Sequence, residues 1–366
     1  MTTTVPPATR ARRGQEQIRA ALGSPLLLAT VALIVAAIAP HLVSGFRTFQ
    51  FTIALCFIIA LLGLNLLTGF GGIISVATAA FFGLGAYSVL ILENEIAASQ
   101  YEFSPIAYLG LPVGFVVAFA VGALLGLPVT RLRGWNLALL TIGVGVSFSP
   151  LIRRFKGVTG GSIGIQMAKP TAPAWTGLTD DQWIYYIGLA CLAALFTVSW
   201  LIMRSTIGKA LLAGKDNELA ARALGVDISR FRIIVFALSA GFAGVGGAVF
   251  GLTTQTTDPE AFTVLLSITF LLGAILGGLG SVVGPVIGGF FLVYARLWAE
   301  GVFPGAILLV YGILLVTVMY IAPTGVADVP RRLARLGRRL RGPSTTNSAS
   351  QSELPASARE GESVDG

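Results

Sequence analysis

The chain has 366 residues, of which 55% are hydrophobic and only 11% charged, against roughly a quarter charged in ordinary soluble domains. With a mean hydropathy of +0.82 it cannot cover its own core with polar surface, which excludes a soluble enzyme. The 45 glycines follow no G-X-Y period, which excludes a collagen-like chain, and the net charge of +8 sits on tails and loops beside apolar runs. That placement orients membrane segments and argues against nucleic acid as a partner.

A helix needs about 20 apolar residues to cross a bilayer. Ten segments meet that measure, at 26–43, 49–67, 73–92, 106–129, 135–152, 183–203, 231–252, 262–280, 282–298 and 303–322. The fifth is short and glycine-rich, and the eighth and ninth nearly merge through Gly277-Gly278-Leu279-Gly280. The predicted fold is therefore an all-α, polytopic bundle with eight to ten membrane segments. Residues 1–22 form a basic tail, 23–325 the transmembrane domain with a polar loop at 204–232, and 326–366 a basic and then polar tail. The first segment follows Arg10, Arg12, Arg13 and Arg19 and lacks a small-x-small cleavage site, so it is expected to remain as an uncleaved anchor. Both tails are too polar to bury a core and are expected to be disordered. Arg331, Arg332, Arg335, Arg338, Arg339 and Arg341 are expected to lie against anionic lipid headgroups.

Ten spans place both termini on one side of a bacterial cytoplasmic membrane. With the basic N-terminus in the cytoplasm, most of the 25 lysines and arginines fall on that side, including Arg131, Arg133 and the six between Arg204 and Arg232. Glu93, Glu95, Glu102, Asp258 and Glu260 then face outward. Arg153, Arg154, Lys156 and Lys169 fall outside as well, against the charge rule. No Asp or Glu lies inside the ten segments as drawn, which weakens a proton- or sodium-coupled carrier. No nucleophile with an acid–base partner and no phosphate-binding loop is present, since Gly208-Lys209 is followed by Ala210. Catalytic residues, a metal site and a cofactor bound by this chain are accordingly not expected. Cys56 and Cys191 read as buried packing, and His41 as an interfacial residue.

The 204–232 loop, RSTIGKALLAGKDNELAARALGVDISRFR, is too polar to span yet is patterned. Asp216 or Asn217 can cap a short helix, Glu218 and Arg222 form an i,i+4 pair, and Gly225 suits the position just past the helix end. Leu219, Ala220, Ala223 and Leu224 then share one small apolar face, which needs a partner.

At these residues the chain resembles the branched-chain amino acid permeases of ATP-binding-cassette importers, of the LivM type. The resembling blocks are Gly208-Lys209-Ala210-Leu211; Asn217-Glu218-Leu219-Ala220-Ala221-Arg222-Ala223-Leu224-Gly225; Phe236 to Gly244; Gly63 to Ser75 with Ala79 to Tyr87; Thr159 to Ile165; and Gly277 to Pro285. The chain departs from that pattern at Gly214-Lys215-Asp216, at Val76-Ala77-Thr78 and at Ile163. The resemblance implies a permease subunit importing branched-chain or other neutral amino acids, with urea or short amides as the next cargo class. It implies a homologous LivH-like second permease, two ATPase subunits that use ATP and magnesium, and an extracytoplasmic solute-binding protein. The ATPase-coupling residues would be Gly208, Lys209, Asn217, Glu218, Ala220, Ala221, Leu224 and Gly225. Polar candidates for the translocation path are Asn65, Ser75, Thr78, Asn136, Thr141 and Ser239, and candidate helix-packing glycines are Gly69, Gly71, Gly72, Gly277, Gly278 and Gly280. A stand-alone secondary carrier is the rival, and it predicts transport that survives ATP depletion.

Overall fold

The computed structural model describes residues 25–96, 105–129, 135–223 and 227–302, with residues 132, 225, 312, 313, 316 and 317. Both tails, nearly all of the tenth predicted segment, Arg131, Arg133 and Leu224 lie outside the described residues. The helices follow the predicted segments: α1 Pro25–Leu42, α2 Gly45–Leu64, α3 Thr78–Ile96, α4 Gly110–Val129, α5 Trp135–Arg154, α6 Asp180–Arg204, α7 Thr206–Asp216, α8 Glu218–Ala223, α9 Ile228–Thr254, α10 Val264–Gly277 and α11 Gly284–Val302. A π-helical turn, Asn65–Phe70, extends α2, and a 3-10 turn, Pro105–Leu109, leads into α4. Among the described residues, five stretches are long and apolar enough to cross a membrane: Gly45–Phe70, Pro105–Val129, Asn136–Arg154, Asp180–Arg204 and Ile228–Thr254. The only strand pair among the described residues joins β1, Ile165–Gln166, antiparallel to β2, Thr256–Thr257.

The core is organised around α9, which packs along α2, α3 and α4. Its sequence, Ser239-Ala240-Gly241-Phe242-Ala243-Gly244-Val245-Gly246-Gly247, offers almost no side chain where the neighbours approach. A β-carbon on Gly247 would collide with the Phe82 carbonyl, and one on Gly85 of α3 with the Gly244 carbonyl. Lipid does not drive apolar helices together as water does, so such close packing of small residues is the main attraction available. Next to this contact, Phe57, Phe82, Phe250, Phe262 and Phe270 interlock, with centroids 5.1 Å apart for Phe57 and Phe270 and 5.3 Å for Phe82 and Phe250. Edge-to-face and tilted rings fill the space that the glycines leave beside them.

Several backbone irregularities inside the bundle are met by a specific polar group, as an apolar solvent requires. Pro40 in α1 has no N–H for the Ala36 carbonyl, and the Tyr185 hydroxyl of α6 donates to that oxygen at 2.7 Å. A capping box of Thr179 and Gln182, with Asp180 and Asp181 in the first turn, starts α6. The predicted third segment was placed at 73–92, but α3 starts only at Thr78 and runs to Ile96. Residues 71–77 are not helical, and Ile73 and the stretch from Ser75 to Ala77 are buried. Their groups are satisfied by side chains: the Val76 N–H donates to Thr141 Oγ1 (3.2 Å), the Ala77 N–H to Ser75 Oγ (3.3 Å), and Thr68 Oγ1 to the Ile73 carbonyl (2.9 Å). The Ala79 N–H in the first turn of α3 donates to Ser267 Oγ of α10 at 2.9 Å, and Ser267 is fully buried. Ser267→Ala should therefore strand a buried donor and destabilise the protein by about 1–3 kcal/mol. A thermal melt of the detergent-purified protein checks this, with an unchanged midpoint as the contrary result.

α3 also runs past the end expected at residue 92. Glu93 belongs to α3 and is buried, because the helix continues one turn beyond the expected end. The helix expected at 262–280 is the 14-residue α10, about 21 Å long at 1.5 Å per residue. It begins at its N-cap Thr263, straight after the Pro259–Phe262 turn, and ends at Gly277-Gly278, which leaves it short of a full bilayer crossing. The basic residues that resisted the charge rule lie near β1 and β2, away from the 204–232 loop. Two of them are paired there, Arg153 with Glu260 at 2.7 Å and Lys169 with Asp181 at 3.0 Å.

Candidate functional site

The 204–232 loop is an ordered helical hairpin. Ser205 caps α7 by accepting from the Ile207 N–H (3.2 Å), and Gly208 is needed close to the end of α6, where a β-carbon would meet the Ile202 and Met203 carbonyls. Leu211 is buried, Gly214 packs on Ile228, and Lys209 is exposed. Asn217 is extended and opens α8, and Ala221 is buried beneath it. Gly225 has a φ of 79°, a left-handed end that turns the chain toward the Asp227 cap of α9. Glu218 anchors the hairpin: its Oε1 accepts from Arg222 at 2.7 Å and its Oε2 from Arg232 of α9 at 3.1 Å. Of the expected apolar face, Leu219 is 79% exposed and Ala223 is exposed too. The side chain of Ala220 lies outside the described residues.

Beside this hairpin lies the π-helical turn that ends α2. Asn65 Nδ2 donates to the Ser281 carbonyl and the Gly280 N–H donates to Asn65 Oδ1, both at 2.8 Å. One side-chain amide thus clips the turn between α10 and α11. Gly69 lies against Gly280 with no room for a β-carbon, and Gly277 is equally tight against Gly284. Gly72, Gly278 and Gly280 have positive φ and shape the turns, while Gly71 sits over the Leu67 carbonyl. A cavity of about 250 Å³ opens between Gly72, Ile73, Val129, Leu132, Leu137 and the Glu218–Arg232 pair.

Of the polar residues predicted for a path, Thr141 of α5 is brought against the buried 75–78 stretch that holds Ser75 and Thr78, while Asn65, Asn136 and Ser239 make separate contacts. Asn65, Ser75 and Thr141 serve buried backbone, as described above, and Thr141 also donates to the Ala138 carbonyl at 3.0 Å. Thr78 and Ser239 are buried, and Ser239 lies in the α9 interface where Gly63 meets its carbonyl. Asn136 alone is exposed. It begins a stripe along α5 that continues through Gly143, Ser147, Pro150 and Arg154, all exposed, with nothing within 4 Å of a β-carbon at Gly143. Only Asn136 of this stripe was singled out from the sequence. The signal available was the spacing of three to four from Gly143 through Ser147 and Pro150 to Arg154, on a face that also carries the exposed Leu139, Val146 and Leu151.

An all-helical bundle with several spanning helices and helix breaks met by internal polar groups defines a multi-pass membrane protein. Residues 46–321 match the family described as "Branched-chain amino acid transport system / permease component", and the chain belongs to that family. It is similar to the high-affinity branched-chain amino acid transport system permease protein LivM of Escherichia coli, with 31% identity over 84% of this chain and 76% of the relative. A probable branched-chain amino acid transport permease protein LivH of Methanocaldococcus jannaschii shares 26% identity over 70% of this chain and 85% of the relative. The autoinducer 2 import system permease protein LsrC of Shigella flexneri shares 28% identity over 50% of this chain and 54% of the relative.

Proposed function

We propose that this chain is one of two permease subunits of an ATP-binding-cassette importer for branched-chain or other neutral amino acids. The observation that carries the reading is the 204–232 hairpin, which is anchored by Glu218 to α9 while Leu219 stands 79% exposed on its free side. An anchored six-residue helix with an exposed leucine suits docking to another protein. An ATPase subunit on the cytoplasmic side is that partner, and the ATP and magnesium belong to it. The similarity to both LivM and LivH relatives supports a homologous second permease. The exposed α5 stripe faces that second subunit and lines the shared path, where a few polar groups handle the charged ends of an otherwise apolar cargo. A solute-binding protein delivers cargo at the opposite face, and both termini are cytoplasmic.

Affinity purification from the native membrane in mild detergent tests the assembly. The expected result is co-purification of a second permease and ATPase subunits, with leucine uptake in cells that stops on ATP depletion. Uptake that survives ATP depletion and follows an ion gradient would instead establish a secondary carrier.

A further inference from the structure

The side chain of Lys215, in the last turn of α7, leaves the hairpin and reaches the membrane bundle. Its Nζ donates to the Gly69 carbonyl at 2.6 Å, and its methylenes lie against Gly72, whose φ of 66° keeps that surface free of a side chain. Gly69 is in the π-helical turn, where the chain leaves α2 and late carbonyls lack helical donors. The same turn holds Asn65, which clips Gly280 and Ser281 through both of its amide atoms. Gly69 also abuts the Gly280 backbone. One unbroken series of polar contacts therefore runs from α7 to the π-turn of α2 and on to the α10–α11 turn.

We propose that Lys215 is a positioning residue for transport, passing displacement of the 204–232 hairpin to the Gly69 carbonyl and, through Asn65, to the turn between α10 and α11. This rests on the importer reading, because an ATPase must move the hairpin. The geometry favours transmission over simple capping. The Lys215 contact is a short, charge-assisted bond at 2.6 Å, so the hairpin holds the Gly69 carbonyl firmly. The next two contacts, at Asn65 and at Gly69 against Gly280, are short and made directly to backbone, so they yield little.

The test uses the whole complex in liposomes with a reporter at Leu279, which is exposed beside the clipped turn. Leu279→Cys is made in a chain carrying Cys191→Ser, and maleimide labelling is followed with and without ATP and vanadate. With Lys215 present, nucleotide is expected to change the labelling rate. In Lys215→Met that difference should shrink about tenfold, the scale of one lost charge-assisted hydrogen bond, while ATP hydrolysis stays within about twofold. Lys215→Arg should restore it. A difference that persists in Lys215→Met overturns the proposal, as does a reporter that ignores nucleotide when Lys215 is present. Joint loss of assembly and hydrolysis in Lys215→Met makes the residue a structural cap and also overturns it. Failure of the Lys215 chain to bind any ATPase sinks the importer reading, and this proposal with it.

Discussion

A Gly247→Val chain is expected to reach the membrane and fail to fold. The new β-carbon meets the Phe82 carbonyl, and backbone cannot move aside as a side-chain tip can. To admit it, α3 and α9 must separate along their length, which breaks the reciprocal contact at Gly85 and Gly244 and loosens the phenylalanine cluster around Phe82. Overpacking a core costs about 1–3 kcal/mol and occasionally more, and a rigid helix–helix contact belongs at the top of that range. Gly301→Ala in α11, where a β-carbon finds nothing within 4 Å, should leave stability unchanged. Thermal unfolding and size-exclusion profiles in detergent check both. A monodisperse Gly247→Val protein with an unshifted melt would mean that α3 and α9 do not pack as described.

Glu218→Arg should insert normally and transport almost nothing. Glu218 holds Arg222 and Arg232, and its side chain and that of Arg232 are only 20% and 17% exposed. Reversal places three guanidinium groups around one partly desolvated point and frees the hairpin from α9. Two charge-assisted hydrogen bonds lost in this way predict a fall in uptake of about 100-fold or more. Insertion is spared because α8 is a six-residue helix outside the membrane-crossing stretches. The two quantities to compare are ATP-dependent leucine uptake and the amount of chain in the membrane fraction. Full uptake by Glu218→Arg would remove the hairpin from the coupling role.

The helices were legible because apolar run length is a strong signal in a membrane protein, and the 204–232 hairpin because polar residues repeat there at helical spacing. The Glu218–Arg222 pair and the left-handed Gly225 followed from local spacing alone. The start of α3 did not, because Ile73, Val76 and Ala77 are as apolar as a helix interior. Their non-helical backbone and the start of α3 depend on Thr141 and Ser267, which are distant in sequence. The roles of Asn65 and Lys215 were hidden for the same reason. Their partners are backbone atoms of Ser281, Gly280 and Gly69, and backbone carries no sequence signature. The α5 stripe was missed beyond Asn136 because Gly143, Ser147 and Pro150 are individually unremarked in an apolar helix.

The buried, non-helical stretch before α3 also bears on biogenesis. The Val76 and Ala79 amides take their partners from Thr141 and Ser267, residues that the ribosome adds only after several further segments have been made. Until α10 has left the ribosome, the entry to α3 has no dry place to go, and α9, which joins α2, α3 and α4, is equally late. The entry to α3 therefore reaches its final packing only after α5 and α10 have been made, whatever the order in which the separate helices enter the lipid.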